Sequence, residues 1–546
     1  MARIIPGVQV SVVKDVVPPQ LAPSGVLGIV GVTEKGGDPV RASSWKTFLE
    51  LCGPGSAYSL PEARQALQNG VFELVVSPVD AKNAGIASIA VPGSVGIALK
   101  LQARAAGAWA SGLGVKVIHR TRDDEGSPVI TGFDVHIQRP GGAGEEVFRN
   151  LNMVPGGSRF VRNALASSSL IKLEKLAYAK HTVGQTVKGG NTLTLVKTDG
   201  DNRSIYAVKA AGDEELKVRI ERKNDIFRIE IFRINIDPAT PWFSHVGAEF
   251  PYARLNAEFA GIADLSIEHA GWPSEVDSAL ALSGSTDAGA TEYIDAIDKL
   301  QDEADVDLVF VGLQDQSDEK KVAKVYGAVV SHCDTLSSAC KGRIGFGHVP
   351  PTASRDKHKE LASQLVSDRF VLLAPHGVAG AVAGMVGKLD YYRSPTFKRV
   401  AGLTGLSALG TEAQREYLKS NVVPVATEQG RGTIVIRGLT TDGDQINVRR
   451  TADRAVRGVK SIGDQFIGRL NNADGRGALK QKLTEFLLQM EKDGAIVPST
   501  DGADPSFQLD VYSSQDDFAK GIVRVDIAVR PVRAIDYIYA TILVET

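Results

Sequence analysis

The chain has 546 residues, 43% of them apolar and 23% charged, with a net charge of −2. That length exceeds one typical core, so roughly two to four domains are expected, and the near-neutral balance excludes the clustered basic excess of a nucleic-acid binder. Three cysteines are too few for a disulfide framework, and no apolar run approaches the roughly 18 residues that span a membrane.

The opening stretch, MARIIPGVQVSVVKD, meets charge again at Lys14 and Asp15 and lacks the apolar segment of a signal peptide, so folding in a reducing cytoplasm is expected. After the turn pair Pro6–Gly7, Val8, Val10 and Val12 alternate with polar residues and predict a half-buried strand. Pro18–Pro19 and Pro23 mark an extended tether behind it. From about 95 to 265 the chain is strand-rich, with IALKLQA at 97–103, LGVKVIH at 113–119, GFDVHIQ at 132–138, LKVRIER at 216–222 and FRIEI at 227–231. Pro140-Gly141-Gly142 and Gly189-Gly190-Asn191 punctuate these strands, which predicts a β-rich barrel or sandwich. The doublet Ile231–Phe232 breaks the alternation and predicts a bulge.

Beyond residue 266 helix and strand patterns alternate. Thr291 is placed to cap a helix carrying Tyr293, Ile294, Ile297 and Leu300, and a buried strand follows at 306–311. A helix through Val322, Val325, Val329 and Val330 leads to strands at 343–346 and 370–373, the pattern of a partly parallel sheet with helices on its faces. Ala455, Val459, Ile462, Phe466 and Leu470 make one helical stripe, and Leu479, Leu483, Phe486, Leu487 and Met490 make another. At the end, Ile522–Arg530 alternates strictly, and after Pro531 the run Ala534–Val544 is apolar on both faces except at Asp536. Such a strand is buried on both sides, so it either completes its own sheet or docks onto a neighbour's. The expected fold is therefore an α/β (α+β mixed) core with an inserted β-rich barrel or sandwich domain and extended strand arms. The divisions are 1–24 (N-terminal arm), 25–94 (first part of the core), 95–265 (insert), 266–530 (core) and 531–546 (C-terminal arm).

Motifs for catalysis are missing. Gly387–Lys388 lacks the upstream glycine of a phosphate-binding loop, and Pro350 stands where Gly345-Phe346-Gly347 would need its third glycine. His332, Cys333 and Cys340 match no zinc spacing and read as core residues of an apolar helix. Asp302, Glu303, Asp305 and Asp307, like Asp516–Asp517, read as solvated turns. No catalytic, cofactor-binding or metal residue is assigned, and the chain is not expected to be an enzyme. The rival reading of this α/β region, an intracellular enzyme with a β-barrel appendage, predicts a deep polar pocket within 300–390.

Residues 420–546 carry a distinctive order of segments: Asn421-Val422-Val423-Pro424, then Gly430-Arg431-Gly432-Thr433-Ile434-Val435, then Ile446-Asn447-Val448-Arg449-Arg450, and DGAI at 493–496. Upstream stand Pro6-Gly7-Val8-Gln9-Val10, Gly107-Ala108-Trp109-Ala110, Asn150–Met153 with Arg159-Phe160-Val161, and Leu282–Asp287. In this order the segments resemble the sheath proteins of contractile phage tails and related phage-tail-like particles. The resemblance implies a subunit that polymerises helically with itself around an inner tail tube protein and contracts to drive the tube through a cell envelope. The sheath of a type VI or extracellular contractile injection system is the close alternative. Implied partners are further copies, the tube, and baseplate and tail terminator proteins, with no direct nucleic acid, no membrane insertion and no cofactor. The implied location is the virion tail, assembled in a bacterial cytoplasm. Val8, Val10 and Val12 on one arm and Ile535, Tyr537 and Tyr539 on the other are the expected strand-exchange residues. Arg476, Lys480 and Lys482 are candidate tube-facing charges.

Overall fold

The structure, a computed structural model, describes residues 24–93, 96–124, 127–139, 144–153, 159–176, 182–188, 192–199, 202–210, 215–223, 226–247, 263–268, 272–403 and 405–539. The core opens with β1 (Val26–Gly31), β2 (Val40–Ala42), α1 (Trp45–Cys52), α2 (Ser56–Ser59), α3 (Pro61–Gln68) and β3 (Glu73–Pro78). The chain then makes β4 (Ser88–Gly93), β5 (Gly96–Ala103), β6 (Gly114–Asp124), β7 (Ser127–Gln138), β8 (Glu145–Leu151), α4 (Val161–Leu165) and β9 (Ile171–Leu176). Next come β10 (Thr182–Lys188), β11 (Thr192–Asp199), β12 (Asn202–Ala210), β13 (Glu215–Lys223), β14 (Ile226–Arg233), β15 (Phe243–Gly247), β16 (Ala263–Glu268) and β17 (Val276–Ala281). The core resumes with α5 (Ala290–Asp298), β18 (Leu308–Gly312), α6 (Glu319–Ser338), β19 (Ile344–His348), α7 (Arg355–Gln364), β20 (Phe370–Ala374) and α8 (Ala379–Lys388). After α9 (Thr411–Lys419), β21 (Val423–Glu428) and β22 (Gly432–Val435) come α10 (Ile446–Asp464), α11 (Ala473–Lys492), β23 (Phe507–Tyr512), α12 (Gln515–Ala519) and β24 (Arg524–Val529).

The core sheet has the order β2-β3-β1-β18-β19-β20-β21-β22, parallel from β3 to β21 and closed by an antiparallel strand at each side. Side chains of a strand alternate between faces, so each parallel strand feeds two cores. Leu27, Ile29, Leu308 and Phe310 pack with Phe48, Ala63 and Val382 on the side of α1, α3 and α8. Val26, Val30, Val309 and Val311 pack with Tyr293, Ile297, Val325 and Val329 on the side of α5 and α6. Cys333 lies buried in that second core, so the reading of His332–Cys333 as core residues matches its place. Glu62, in the first turn of α3, is turned between α8 and the end of β18, where an added Cβ on Gly380 would lie 2.5 Å from its own Cβ. Burial there pushes its carboxyl up to about 7.

The segment between β3 and α5 forms separate sheets, β4-β5-β9, β17-β6-β7-β8, β10-β13-β14-β15 and β11-β12-β16. The first two share one apolar core containing Leu99, Leu101, Val115, Val117, Phe133, Val135 and Ile171. This is sandwich packing, and among the described residues no sheet closes into a barrel. The bulge expected at Ile231–Phe232 is absent: β13 and β14 pair without a shift from Leu216↔Arg233 to Lys223↔Ile226. Both residues of the doublet are buried, which accounts for the broken alternation.

Two of the sequence motifs join this segment to the core. Trp109 stacks on Tyr58 at 5.8 Å and donates Nε1–H to Ala105 O at 3.1 Å, while its backbone N–H reaches Gln314 Oε1 at 3.3 Å. Gly107 (φ +111) allows the approach, since a Cβ there would stand 2.1 Å from Gln314 Oε1. On the return, the Asp287 carboxylate accepts from Tyr293 Oη at 2.8 Å, Lys321 Nζ at 2.8 Å and the Asp315 N–H at 3.0 Å. The following helix starts two residues earlier than expected, with Gly289 rather than Thr291 at its N-cap.

Candidate assembly interface

The residues after β22 make a unit held against the core by arginines of α10. Arg450 donates Nη1 to Val386 O at 2.8 Å and Leu389 O at 3.1 Å, satisfying carbonyls that end α8. Arg457 donates to Ala304 O at 3.1 Å, Val306 O at 2.6 Å and Gly342 O at 2.8 Å, crossing the amino ends of β18 and β19. Asp453 takes a two-pronged bond from Arg369 at 2.9 and 3.0 Å and a further one from Arg449 at 2.9 Å. Deep in this contact burial raises the Asp307 carboxyl and lowers Arg450, whose Nη2 stands 3.9 Å from Asp307. The Val448-Arg449-Arg450 motif thus joins the C-terminal unit to the parallel sheet.

Within the unit α10 and α11 lie close because Gly458 faces Phe486; a Cβ on Gly458 would stand 2.1 Å from Phe486 Cζ. The helical stripe read through Phe466 and Leu470 is shorter in fact. α10 stops at Asp464, Gly468 takes φ +81, and Leu470 is exposed in the following loop.

β23 and β24 lie on this helix pair as an antiparallel hairpin running from Phe507↔Val529 to Tyr512↔Arg524. Phe507, Leu509, Val511, Val525, Ile527 and Val529 face the helices, and Gln508, Asp510, Tyr512, Arg524, Asp526 and Ala528 face outward. Its turn carries α12, capped by Ser514 Oγ accepting from the Asp517 N–H at 3.1 Å. Arg524 donates to both Asp517 oxygens at 2.8 and 2.9 Å, and with the Ser514 hydroxyl holds that carboxyl at about 2. Among the described residues this sheet has two strands, and neither outer edge has a partner strand among them.

The chain leaves β24 along a series of side-chain clamps. Asn447 Nδ2 donates to Val532 O at 3.0 Å, and Gln445 binds both backbone groups of Ala534, at 2.8 and 3.0 Å, as a neighbouring strand would. Asp536 Oδ2 accepts from Arg437 Nε at 2.9 Å and Gln445 Nε2 at 2.9 Å, and Arg437 Nη2 stands at ion-pair distance, 2.9 Å, from the same oxygen. The Arg437 guanidinium lies 5.3 Å from the centre of the Tyr537 ring. Past this anchor Ile538 is 84% and Tyr539 94% exposed. The expected burial on both faces is therefore not supplied by the described residues for 534–539, which form no strand. An apolar run alone cannot distinguish a home sheet from a neighbour's.

Of the expected exchange residues, Val8, Val10 and Val12 lie outside the described residues. Ile535, Tyr537 and Tyr539 lie together on the exposed segment. Arg476 donates to Asn471 O at 3.2 Å and Oδ1 at 2.9 Å, Lys480 reaches Asp510 at 3.4 Å, and Lys482 reaches Glu485 at 2.9 Å. Arg437 and Gln445 were not singled out from sequence, and Asn447 only within the segment Ile446–Arg450; Asp536, the lone charge in an apolar run, was the signal pointing to them. Among the described residues no three His, Cys, Asp or Glu side chains are grouped to hold a metal ion, and no helix is long and apolar enough to cross a membrane.

Residues 440–545 match the family of the phage tail sheath C-terminal domain, inside the stretch 420–546 whose segment order carries the resemblance. The chain carries a tail-sheath C-terminal domain. That domain comprises α10, α11, the β23–β24 hairpin and the anchored segment. The sheath tail protein of Desulfitobacterium hafniense is similar at 11% identity over 96% of this chain and 100% of its own, with a TM-score of 0.43. The sheath tail protein of Listeria innocua is similar at 11% identity over 94% of this chain and 93% of its own, with a TM-score of 0.43. The contracted helical sheath of the anti-feeding prophage is similar at 18% identity over 48% of this chain and 78% of its own, with a TM-score of 0.39. These likenesses are distant, and the assignment rests on the tail-sheath domain. No curated protein sequence matches the chain.

Proposed function

We propose that the chain is the structural subunit of a contractile tail sheath, polymerising helically around an inner tube and contracting to drive that tube forward. The observation that carries this reading is the pairing, in one tail-sheath domain, of a sheet with two strands among the described residues and an apolar segment that is anchored at Asp536 and exposed at Ile538 and Tyr539. Strand addition supplies main-chain hydrogen bonds and takes register from alternate side chains. A segment given to one neighbour and an edge offered to another make a contact that does not close on itself, which generates helical polymers. Residues 1–24 and 531–546 act as the exchanged arms, with 25–94 and 266–530 as the rigid core and 95–265 as the insert. Val8, Val10 and Val12 are the N-terminal counterpart of Ile535, Tyr537 and Tyr539.

Contraction in such an array needs no fuel. A gain of about 1–3 kcal/mol per subunit, the size of an ordinary conformational coupling, becomes large when summed along a tail. The tube, a baseplate and a terminator are the remaining partners, and the virion tail or a tail-like particle is the place of work. Lys480, in an exposed ion pair with Asp510 worth about 0–1 kcal/mol, Lys482 and Arg476 are the candidate contacts to an acidic tube surface. Negative-stain electron microscopy of the purified chain tests the reading. Long hollow tubes with ridged walls are expected; discrete particles that stay discrete when tube protein is added would overturn it.

A further inference from the structure

The contact between α10 and the parallel sheet leaves a cavity of about 320 Å³ at the amino ends of β18 and β19, a volume within the range of small-molecule sites. Arg450, Arg454, Arg457 and Ser461, spaced four, three and four residues apart, share one face of α10 and form one wall. Lys341 and Gly342, which lead from α6 into β19, form the facing wall. The cavity therefore lies between the core and the tail-sheath domain, and its described lining includes no residue of the hairpin or of 531–539.

The charges around it do not balance. Asp464 pairs with Lys460 at 2.7 Å, and Asp453 accepts from Arg369 and Arg449, which stand outside the cavity. That leaves Asp307 as the lining carboxylate against Lys341, Arg450 and Arg457, three cations against one acid. Asp307 turns both oxygens to the Gly25 N–H, at 3.0 and 2.9 Å, and the three cations donate to carbonyls instead, Lys341 to Gln301 O at 2.9 Å. A carbonyl satisfies a hydrogen bond without neutralising a charge, and a cation held away from water is unfavourable without a counterion. Burial accordingly lowers Arg450, which is 5% exposed. Arg450 Nη2 and Arg457 Nε are buried donors with no acceptor among the described residues, the usual mark of a water or ion.

We infer that this cavity binds a small phosphate-bearing anion, held by Lys341 of the core and by Arg454 and Arg457 of α10, with Arg450 beneath it. A phosphate group carries about −1.5 to −2 at neutral pH and offers three acceptor oxygens, which matches an excess of two cations better than a single carboxylate does. Arg454, 5.7 Å from the centre of the Tyr391 ring, adds a guanidinium fork on the α10 side. The arm that continues from Ser24, at the cavity's edge, does not supply the missing charge: residues 1–23 carry Arg3, Lys14 and Asp15, two cations against one acid. The site does not depend on the sheath reading, and a bound anion ties Lys341 of the core to α10 of the tail-sheath domain.

Equilibrium dialysis of the full chain against radiolabelled inorganic phosphate, at fixed ionic strength, tests the site. Saturable binding of one phosphate per chain is expected, about tenfold weaker in Lys341→Gln and unchanged in Lys320→Gln, an exposed lysine at the far end of α6. Arg454→Gln is expected to weaken binding by at least as much, with the circular dichroism spectrum of each variant unaltered. Competition with AMP separates the two sources of the group: displacement at lower concentration than unlabelled phosphate requires assigns a phosphate ester, and displacement only at equal or higher concentration assigns free phosphate. No saturable binding up to about 20 mM phosphate, or equal affinity in Lys341→Gln and the parent, would overturn the inference. Binding that appears only in the chain ending at Arg533 would overturn it too, because the chain's own Glu545 or terminal carboxylate would then be the occupant.

Discussion

Replacing Asp536 by Ala should release the terminal segment without unfolding the domain that holds it. The substitution removes one carboxylate oxygen that accepts from Arg437 Nε and Gln445 Nε2, each at 2.9 Å, and ion-pairs with Arg437 Nη2 at 2.9 Å, in a side chain only 8% exposed. Charge-assisted hydrogen bonds are worth about 1.5–3 kcal/mol each in isolation, but these share one acceptor and Arg437 can recover water. A combined loss of about 2–3 kcal/mol follows. Arg533 is the last basic residue of the chain, and the Arg530–Pro531 bond resists trypsin, so cleavage at Arg533 releases residues 534–546 and reports opening of the clamp. In the regime where closing outpaces cleavage, about 2–3 kcal/mol corresponds to a rise of about 30–150-fold in cleavage rate. The assay is mass spectrometry of dilute, unassembled chain after timed exposure to trypsin, with Ile538→Ala as the variant expected to change nothing. A rise below about threefold, with the circular dichroism spectrum unaltered, would refute the claim that Asp536 anchors the arm.

Three further predictions concern the scaffold behind the interface. Asp287→Ala leaves Lys321 (13% exposed) and the Tyr293 hydroxyl without their buried acceptor and should cost about 3–5 kcal/mol in urea unfolding followed by core tyrosine fluorescence. Gly458→Val pushes a side chain into the Phe486 ring and should destabilise the α10–α11 pair by about 1–3 kcal/mol, read as faster amide exchange in α11 with β18 and β19 unaffected. Glu62 binds its proton more tightly in the folded chain, so stability falls as pH rises from the unfolded value of 4.5 through about 7. Glu62→Gln should flatten that decline and gain about 1–2 kcal/mol at pH 8 in thermal unfolding, with no difference from the parent below pH 4.

The core was legible where period and length agree. The runs at 308–312 and 370–374 are short, β-branched or leucine-rich and apolar throughout, which only a strand covered on both faces requires. Ile231–Phe232 misled because an apolar pair can be buried on both faces of a regular strand as well as at a bulge. The stripe through Leu470 overran its helix because apolar spacing continues past Asp464, where the helix ends. The arginine contacts of α10 were out of reach, since Arg450 and Arg457 bind carbonyls of residues 61 to 153 positions away whose approach only the folded sheet defines. The terminal segment was legible as apolar and not as uncovered. Composition reports that a strand needs two partners, and only the structure reports that no described strand pairs with residues 534–539.

The most direct test of strand exchange is electron microscopy and sedimentation of the chain ending at Arg533 beside the full chain, at equal concentration and salt. The account predicts long tubes from the full chain and a slowly sedimenting, folded subunit from the shortened one. Tubes of the same length and yield from both would contradict it.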